Sequence, residues 1–242
     1  MAIELEIKLF ATLKDRAGRN RVKVTVPDRA SVESLLAVTG QTYPELAPAL
    51  PTSLVAVNKA YATLDTIIKP GDEIALFPPV SGGSSSAGLH PTFFSVTSDD
   101  IDIDYLFKHL ARPDIGTIVT FSGFVRGETQ RAGLPAETRH LEYEAYEEMA
   151  STKMAQIAEE IWERFPLVKG IAIVQRIGRL EIGQTTTLVA CAAAHRDQGA
   201  FEAARYGIDR LKEIVPVWKK EVGADRSLWV EGDYRPTEED NR

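Results

Sequence analysis

Two stretches of this sequence place cationic side chains where an anion could bind, and the first is a histidine followed by an arginine. His195 and Arg196 follow the apolar run Thr185–Ala194 and precede a helical pattern that starts at Ala200. Because the free N–H groups at the start of a helix attract anions, this position predicts an anion pocket, with Asp197 as the helix N-cap. A surface arginine beside a hydrogen-bonded histidine is the alternative interpretation.

The second stretch carries Lys212 and Lys219 near the end of the same helical pattern. On an unbroken helix, a separation of seven residues would place both amines on one face, about 10 Å apart. Pro216 lies between them and cannot donate a hydrogen bond to the carbonyl of Lys212, so we expect the helix to kink or end there. Lysines on a helix can equally form a solvated face.

A glycine pair, Gly82 and Gly83, follows a predicted strand and the prolines Pro78 and Pro79. Prolines stiffen the chain and glycines keep its end thin, so this segment is suited to entering a narrow channel. The alternative is that the glycines only begin a serine-rich linker. The single cysteine, Cys191, lies in an apolar run, which favours a small buried side chain over a nucleophile.

Composition limits the classes of protein to which the chain can belong. Its 242 residues, 44% hydrophobic and 26% charged, suit one large or two small globular domains. A formal charge of −7 argues against broad binding to nucleic acids or anionic membranes, since both need a basic surface. The sequence contains no apolar run of bilayer-spanning length and no signal-peptide pattern at its start, which predicts a cytoplasmic protein.

A stretch of small residues at 81–88 predicts a linker between two domains. Charge differs across it: residues 1–83 carry nine basic and nine acidic side chains, whereas the remainder carries 19 basic and 26 acidic ones. We therefore divide the chain into a first domain at 1–83, a linker at 84–90 and a second domain at 91–242. Its polar end, 236–242, is expected to be frayed.

Periodicity predicts the elements of both domains. In the first, two strands, a helix that begins after Ser31 and two further strands indicate a ubiquitin-like β-grasp. In the second, strands alternate with two long helices, which indicates an α/β or α+β domain. The predicted strands are Ile3–Leu9, Val22–Val26, Leu54–Asn58, Glu73–Phe77, a buried Gly116–Gly123, Gly170–Val174 and Thr185–Ala194, and the predicted helices are Val32–Val38, Glu147–Phe165 and Ala200–Val215.

Both domains resemble subunits of molybdopterin synthase. Residues 1–83 are similar to its small, sulfur-carrying (MoaD-type) subunit, through Phe10–Lys14, Asp65–Leu76 and above all Phe77–Gly83. Residues from about 91 are similar to its large, catalytic (MoaE-type) subunit through five motifs in one order: Phe121–Arg126, Leu141–Ala150, Arg176–Leu180, Ala194–Arg196 and Asp209–Glu221. The resemblance implies an α+β chain in which a Gly/Ser linker joins an N-terminal β-grasp domain to a C-terminal α/β-hammerhead-type catalytic domain.

The same resemblance implies an enzyme of molybdenum cofactor biosynthesis. It would transfer two sulfurs from a C-terminal glycine thiocarboxylate to cyclic pyranopterin monophosphate, forming the molybdopterin dithiolene without a metal or other cofactor. Its implied partners are an enzyme that adenylates and sulfurates the Gly-Gly terminus and a second copy of the chain, bound through the C-terminal domain.

The family's functional residues map onto seven positions of this sequence. Those implied to act in catalysis are Lys212, Lys219 and Gly83, and those implied to bind substrate are Arg126, His195, Arg196 and Phe121. We expect Lys212 to be the general acid or base, because nearby cations should make its proton easier to lose. Trp218 and Trp229 are expected to pack rather than to bind ligand.

Some positions depart from the family pattern. Gln175 stands where many relatives have histidine, Gly127–Glu128 replace the more usual Asn-His, and Arg235 is the nearest substitute for an arginine sometimes found at 232–233. The largest departure is chemical: Gly83 is followed by Ser84, so its carbonyl is held in a peptide bond and cannot become a thiocarboxylate. We therefore expect the chain to be cut after Gly83.

Two alternative functions differ in class from this enzyme. In one, a ubiquitin-like sulfur carrier or modifier of another pathway is fused to a non-catalytic binding domain. In the other, the chain is a scaffold whose uncut linker locks the tail in place. With a mean reach of only about 15 Å for seven flexible residues, the linker does not decide whether Gly83 meets its own domain or a neighbour's.

Overall fold

The computed structural model describes residues 2–78, 90–128 and 137–230, together with positions 232, 234, 237 and 240. Gly82, Gly83, Arg235 and most of the predicted linker lie outside these residues. No helix within them is long and apolar enough to cross a membrane.

The first domain is a five-stranded mixed sheet in the order β2-β1-β5-β3-β4, crossed by one helix. Strands β1 and β2 are antiparallel and β1 is parallel to β5, which is the predicted β-grasp arrangement. A short helix, α1, was not predicted and connects β1 to β2. The elements are β1 (Ala2–Leu9), α1 (Ala11–Ala17), β2 (Arg21–Pro27), α2 (Val32–Thr42), β3 (Leu54–Val57), β4 (Ala60–Ala62) and β5 (Ile74–Phe77).

Alternation along the strands builds the core of this domain. Leu5, Ile7 and Leu9 of β1 are buried, while the residues between them face outward. Helix α2 covers the sheet through Leu35, and Ser31 caps it by accepting a hydrogen bond from the backbone N–H of Ser34 at 3.2 Å, as predicted.

The second domain contains two four-stranded sheets, in the orders β6-β9-β11-β7 and β10-β8-β12-β13. Helices α4 and α5 pack on one face of the first sheet, and α3 packs on the other. The elements are β6 (Thr92–Thr97), α3 (Ile103–Leu110), β7 (Thr117–Phe124), β8 (Thr138–Ala145), α4 (Glu147–Arg164), β9 (Val168–Arg176), β10 (Gly178–Glu181), β11 (Thr185–Ala193), α5 (Ala200–Ile214), β12 (Val217–Gly223) and β13 (Ser227–Val230).

The structure corrects one predicted strand and confirms the prediction for the cysteine. The strand at 116–123 was expected to be buried, but β7 is half-buried because it forms an edge of its sheet. Cys191 lies in β11, beside β7, and is fully buried. Its burial raises the pKa of the thiol to about 12, so it is an inert packing residue.

The end of α5 decides where the two predicted catalytic lysines lie. The helix ends at Ile214, and Pro216 leads directly into β12, so Lys212 is on a helix and Lys219 is on a strand. The carbonyl of Pro216 accepts a hydrogen bond from the backbone N–H of Tyr146 at 3.0 Å, which ties this connection to the start of α4.

Close packing of α5 on the first sheet generates a prediction at Gly207. A Cβ at this position would lie 2.9 Å from Cγ1 of Val189 in β11 and 3.3 Å from Cδ1 of Ile161 in α4. We expect Gly207→Val to lower the free energy of unfolding by about 1–3 kcal/mol, because the helix must move away from the sheet. Chemical denaturation measures this loss.

The matched control is Arg205→Ala on the same helix, since the Arg205 side chain is 86% exposed. It should stay within about 0.5 kcal/mol of the parent chain. Equal stability of the two variants would contradict the close helix–sheet contact.

Candidate active site

Strand β12 separates two functional surfaces because successive side chains of a strand point to opposite faces. Val217 and Lys219 face a cavity in the second domain. Trp218, between them, is 3% exposed and packs against the first domain. The same strand therefore forms one wall of the cavity and the floor of the interface between the domains.

The cavity has a volume of about 390 Å³, a size typical of small-molecule sites. It brings together three of the seven predicted site residues, Phe121, Lys212 and Lys219. The Lys212 Nζ lies 5.7 Å from the centroid of the Phe121 ring, within cation–π distance. The remaining lining residues are Gly123, Phe124, Tyr143, Gln175, Thr186, Thr187, Ile208, Leu211, Val215, Val217, Val230 and Gly232.

The two lysines differ in their charge partners. The Lys219 Nζ lies 3.2 Å from Oε1 of Glu221, whose side chain is 5% exposed. Among the described residues, Lys212 has no carboxylate within ion-pair distance. Because Glu221 neutralises Lys219, Lys212 supplies the cavity's unbalanced positive charge, which suits an anionic group.

A neutral polar wall faces the same cavity and was not predicted as part of the site. The side-chain amide of Gln175 donates to the backbone carbonyls of Arg176 and Thr186, at 2.9 and 3.1 Å. Thr186 and Tyr143 line the cavity beside Gln175. Burial raises the pKa of Tyr143 to about 12, so its phenol stays protonated at neutral pH. In the sequence, the one indication that these residues could belong to the site was that Gln175 departs from the family pattern.

The other predicted cations do not line this cavity in one chain. Arg126, His195 and Arg196 are exposed. His195 and Arg196 precede α5, whereas Lys212 lies in its last turn, so a helix of about 18 Å separates the two groups. The predicted N-cap at Asp197 is wrong: the helix begins at Ala200 after Gly199, whose φ of 84° suits glycine.

The first domain docks on the outer face of β12 through aromatic rings. Phe10 stacks on Tyr146 and Trp218, with centroids 5.0 and 5.3 Å apart. Phe77, at the end of β5, lies 5.6 Å from Trp218. These rings exclude water from the centre of the interface, and they bring the start of the Gly-Gly segment next to the strand that carries Lys219.

Ion pairs and hydrogen bonds surround this aromatic centre. Lys59 pairs with Glu148 at 2.8 Å, and Lys14 of the first domain pairs with Glu144 of the second. The Trp229 Nε1 donates to Asp15 at 2.8 Å, which confirms the prediction that Trp218 and Trp229 pack rather than bind ligand. The charged pairs fix the register of docking more than its strength, since exposed ion pairs contribute little.

The polar end at 236–242 lies mostly outside the described residues, but Asp240 within it is held by ion pairs and hydrogen bonds. Arg210 of α5 pairs with Asp240 at 2.8 Å and with Glu160 at 2.7 Å. Asp240 is 2% exposed, and its backbone carbonyl accepts a hydrogen bond from Lys153 at 2.9 Å. Lys153 also lies 5.1 Å from the ring centroid of Tyr61, so one buried lysine joins both domains and the chain end.

Family models match both parts of the chain. The ThiS family matches residues 7–83 and the MoaE protein family matches residues 96–214. The molybdopterin synthase catalytic subunit of Halalkalibacterium halodurans is 43% identical over 144 residues, which are 60% of this chain and 88% of that protein. The molybdopterin synthase catalytic subunit of Pyrococcus abyssi is 42% identical over 135 residues, 56% and 87% of the two chains.

A solved structure gives the same result for the second domain. The crystal structure of molybdopterin synthase from Staphylococcus aureus is 40% identical and covers 57% of this chain and 97% of its own, with a TM-score of 0.53. The fold and the cavity thus define a ubiquitin-like, ThiS-type domain fused to a MoaE-type enzyme domain.

The chain belongs to the molybdopterin synthase catalytic subunit family, whose enzymes act in molybdenum cofactor biosynthesis. This membership confirms the predicted family, fold class and enzymatic function. The alternative with a non-catalytic second domain has no support among these relatives.

The buried Lys153 predicts a pH dependence of stability. Burial lowers the pKa of Lys153 from 10.5 to about 7. The positive charge of Arg210 lowers this pKa further, while the negative charges of Asp240 and Glu160 oppose the shift without cancelling it. Between pH 7 and 10.5 the unfolded chain therefore binds one more proton at Lys153 than the folded chain does. As a result, the contribution of Lys153 to the free energy of unfolding increases as the pH rises through that window. Its slope reaches at most about 1.4 kcal/mol per pH unit.

We expect Lys153→Met to lose this slope, measured by denaturation between pH 7 and 9.5. Lys108→Met, at an exposed position on α3, is the control and should keep the slope of the parent chain. Parallel profiles for the parent chain and Lys153→Met would show that Lys153 is charged in the folded protein at neutral pH.

Proposed function

We propose that this chain forms the molybdopterin dithiolene by transferring sulfur from a thiocarboxylate at Gly83 to cyclic pyranopterin monophosphate. One observation carries the proposal: the strand that binds the first domain on one face presents Lys219 to the lysine-containing cavity on the other. The six residues from Pro78 to Gly83, with five Cα–Cα steps, would span about 16 Å when extended, which exceeds the ~10 Å between packed layers.

The sulfur transfer needs only groups that carrier, substrate and water provide. The thiocarboxylate sulfur attacks a side-chain carbon of the substrate and breaks the carbon–oxygen bond there. The oxygen leaves either as the ester oxygen of the cyclic phosphate, which stays on the substrate as an opened phosphate, or as a hydroxyl that takes up a proton and departs as water. The new carbon–sulfur bond links carrier and substrate through an acyl–sulfur group. Water then cleaves the bond between the acyl carbon and sulfur, leaving sulfur on the substrate and an ordinary carboxylate on Gly83. A second loaded carrier repeats the step at the adjacent carbon.

The two lysines have different roles in this scheme. Lys212, without a carboxylate partner among the described residues, is the general acid or base that moves the protons of these steps. Lys219, held at 3.2 Å by Glu221, is a fixed cation that stabilises negative charge on the acyl group. Phe121 lines the pocket beside Lys212.

Arg126, His195 and Arg196 would bind the phosphate of a substrate held by the neighbouring chain of a homodimer. In one chain His195 and Arg196 lie at the opposite end of α5 from Lys212, and Arg126 is outside the cavity lining, so a second copy is what could bring both groups to one substrate. Phe124 and Ile182 support such an interface near Arg126, since their side chains are 55% and 54% exposed. A cytoplasmic location stays a prediction.

The division of the chain at 83 and 91 follows from the same scheme. Cleavage after Gly83 would free the acyl group for an adenylating and sulfurating enzyme, and residues 84–90 would then remain with the catalytic domain. The aromatic interface lets the carrier stay bound to that domain after the cut.

We expect Lys212→Ala to reduce dithiolene formation at least about 10²-fold, because the acid–base group is lost. The measurement is single-turnover conversion of cyclic pyranopterin monophosphate by cleaved, thiocarboxylated protein. Arg205→Ala on the same helix is the matched control and should keep the parent rate. Near-normal turnover by Lys212→Ala would remove this lysine from the mechanism.

Cleavage is tested by intact-mass analysis of protein from its native host. We expect a fragment that ends at Gly83, partly as the thiocarboxylate, in which one sulfur replaces one oxygen. A Ser84→Pro chain should stay at full length and inactive, since most proteases do not cut before proline. A full-length chain in cells that make the cofactor would refute cleavage and favour the locked scaffold.

A further inference from the structure

We infer that Gln175 reads the pyrimidinone edge of the pterin, and that it distinguishes a 4-oxo ring from a 4-amino ring. This inference rests on the proposed function and adds a specificity residue to it. Gln175 is 3% exposed and lines the same cavity as the two lysines. It lies on β9 of the first sheet of the second domain, whereas Lys219 lies on β12 of the second sheet.

The side-chain amide of Gln175 is fixed in one orientation. Its nitrogen uses both hydrogens, one on the carbonyl of Arg176 at 2.9 Å and one on that of Thr186 at 3.1 Å. A flipped amide would place its oxygen against two carbonyl oxygens, so the nitrogen and oxygen cannot exchange. Among the described residues, the Oε1 of Gln175 accepts no hydrogen bond. Gln175 therefore presents one hydrogen-bond acceptor, its Oε1 atom, to the cavity in a fixed orientation.

Thr186 places a second polar group beside this acceptor. Its carbonyl holds Gln175, and its side chain lines the cavity together with Tyr143. Gly123 keeps the space open here, since a Cβ at that position would lie 3.0 Å from Oγ1 of Thr186. The wall therefore offers an amide oxygen and a phenol, both without formal charge.

This pair complements one edge of a pterin. The 2-amino-4-oxo ring presents the N3–H donor next to the O4 acceptor, which match the Gln175 oxygen and the Tyr143 hydroxyl. A 2,4-diamino ring of the same size reverses the pattern, with a lone pair at N3 and an amino group at C4. It would place the N3 lone pair against the fixed oxygen of Gln175, which leaves buried acceptors unpaired.

The arrangement divides the cavity by chemistry. The neutral wall takes the flat ring, while Lys212 and Lys219 face the reacting side chain and the acyl group. An uncharged wall suits the ring because the pyrimidinone edge is itself neutral, and a buried charge there would cost free energy.

The test compares two ligands of equal size, 6-hydroxymethylpterin and 2,4-diamino-6-hydroxymethylpteridine, by fluorescence titration of the full chain. We expect the parent chain to bind the pterin at least about tenfold more tightly. In Gln175→Met the ratio should fall to within about twofold. Tyr143→Phe is the matched control: it should weaken binding of the pterin but keep the discrimination, because the Gln175 oxygen is still in place.

Gln175→His covers the case in which Gln175→Met does not fold, since a histidine ring can donate through one nitrogen and accept through the other. A folded Gln175→His should keep the preference for the pterin. Equal binding of both ligands by the parent chain, no binding of either, or full discrimination in Gln175→Met would each overturn the inference.

Dithiolene formation from cyclic pyranopterin monophosphate separates this inference from the proposed function. If the parent chain makes the product but shows no ligand discrimination, only the role of Gln175 fails. If cleaved, thiocarboxylated protein makes no product, the proposed function fails, and the role of Gln175 that rests on it fails as well.

Discussion

The alternation of side chains along β12 is the constraint on which the rest of this molecule depends. Trp218 must be apolar and flat to receive the rings of the first domain, whereas Lys219, one residue later, must reach a polar cavity. A shift of one residue in the pairing of β12 with β8 would exchange these faces. The carrier would then meet a lysine, and the cavity would be filled by an indole.

Docking of the two domains combines an apolar centre with charged surroundings, and the two parts contribute differently. The stacked rings of Phe10, Tyr146 and Trp218 supply apolar burial, which is strong but tolerates sliding. Pairs such as Lys59 with Glu148 are weak but have one geometry, so they select the register. The contact face of the first domain carries both signs: Lys14 and Lys59 pair with glutamates of the second domain, whereas Asp15 and Glu73 accept hydrogen bonds from Trp229 and Tyr146.

Much of the fold could be predicted because its strands and helices have strong periods. The β-grasp order, the two long helices and the stop at Pro216 follow from local pattern and from the missing N–H of proline. Helix α1 was missed because it is only seven residues long and has no side-chain cap. Strands β8 and β12 were not predicted, since lysines and glutamates interrupt their apolar alternation.

The sequence by itself determined the chemical groups of this protein: a glycine pair after a β-grasp, a lysine on each side of a proline, and a resemblance specific enough to indicate a family. Only the tertiary structure decided which groups share a cavity. Lys212 and Lys219 meet because β12 returns against β8, whereas His195 and Arg196 stay at the far end of α5. Gln175 also became part of the site only through the tertiary structure. Contacts between strands that are distant in the sequence are set by packing and not by local sequence.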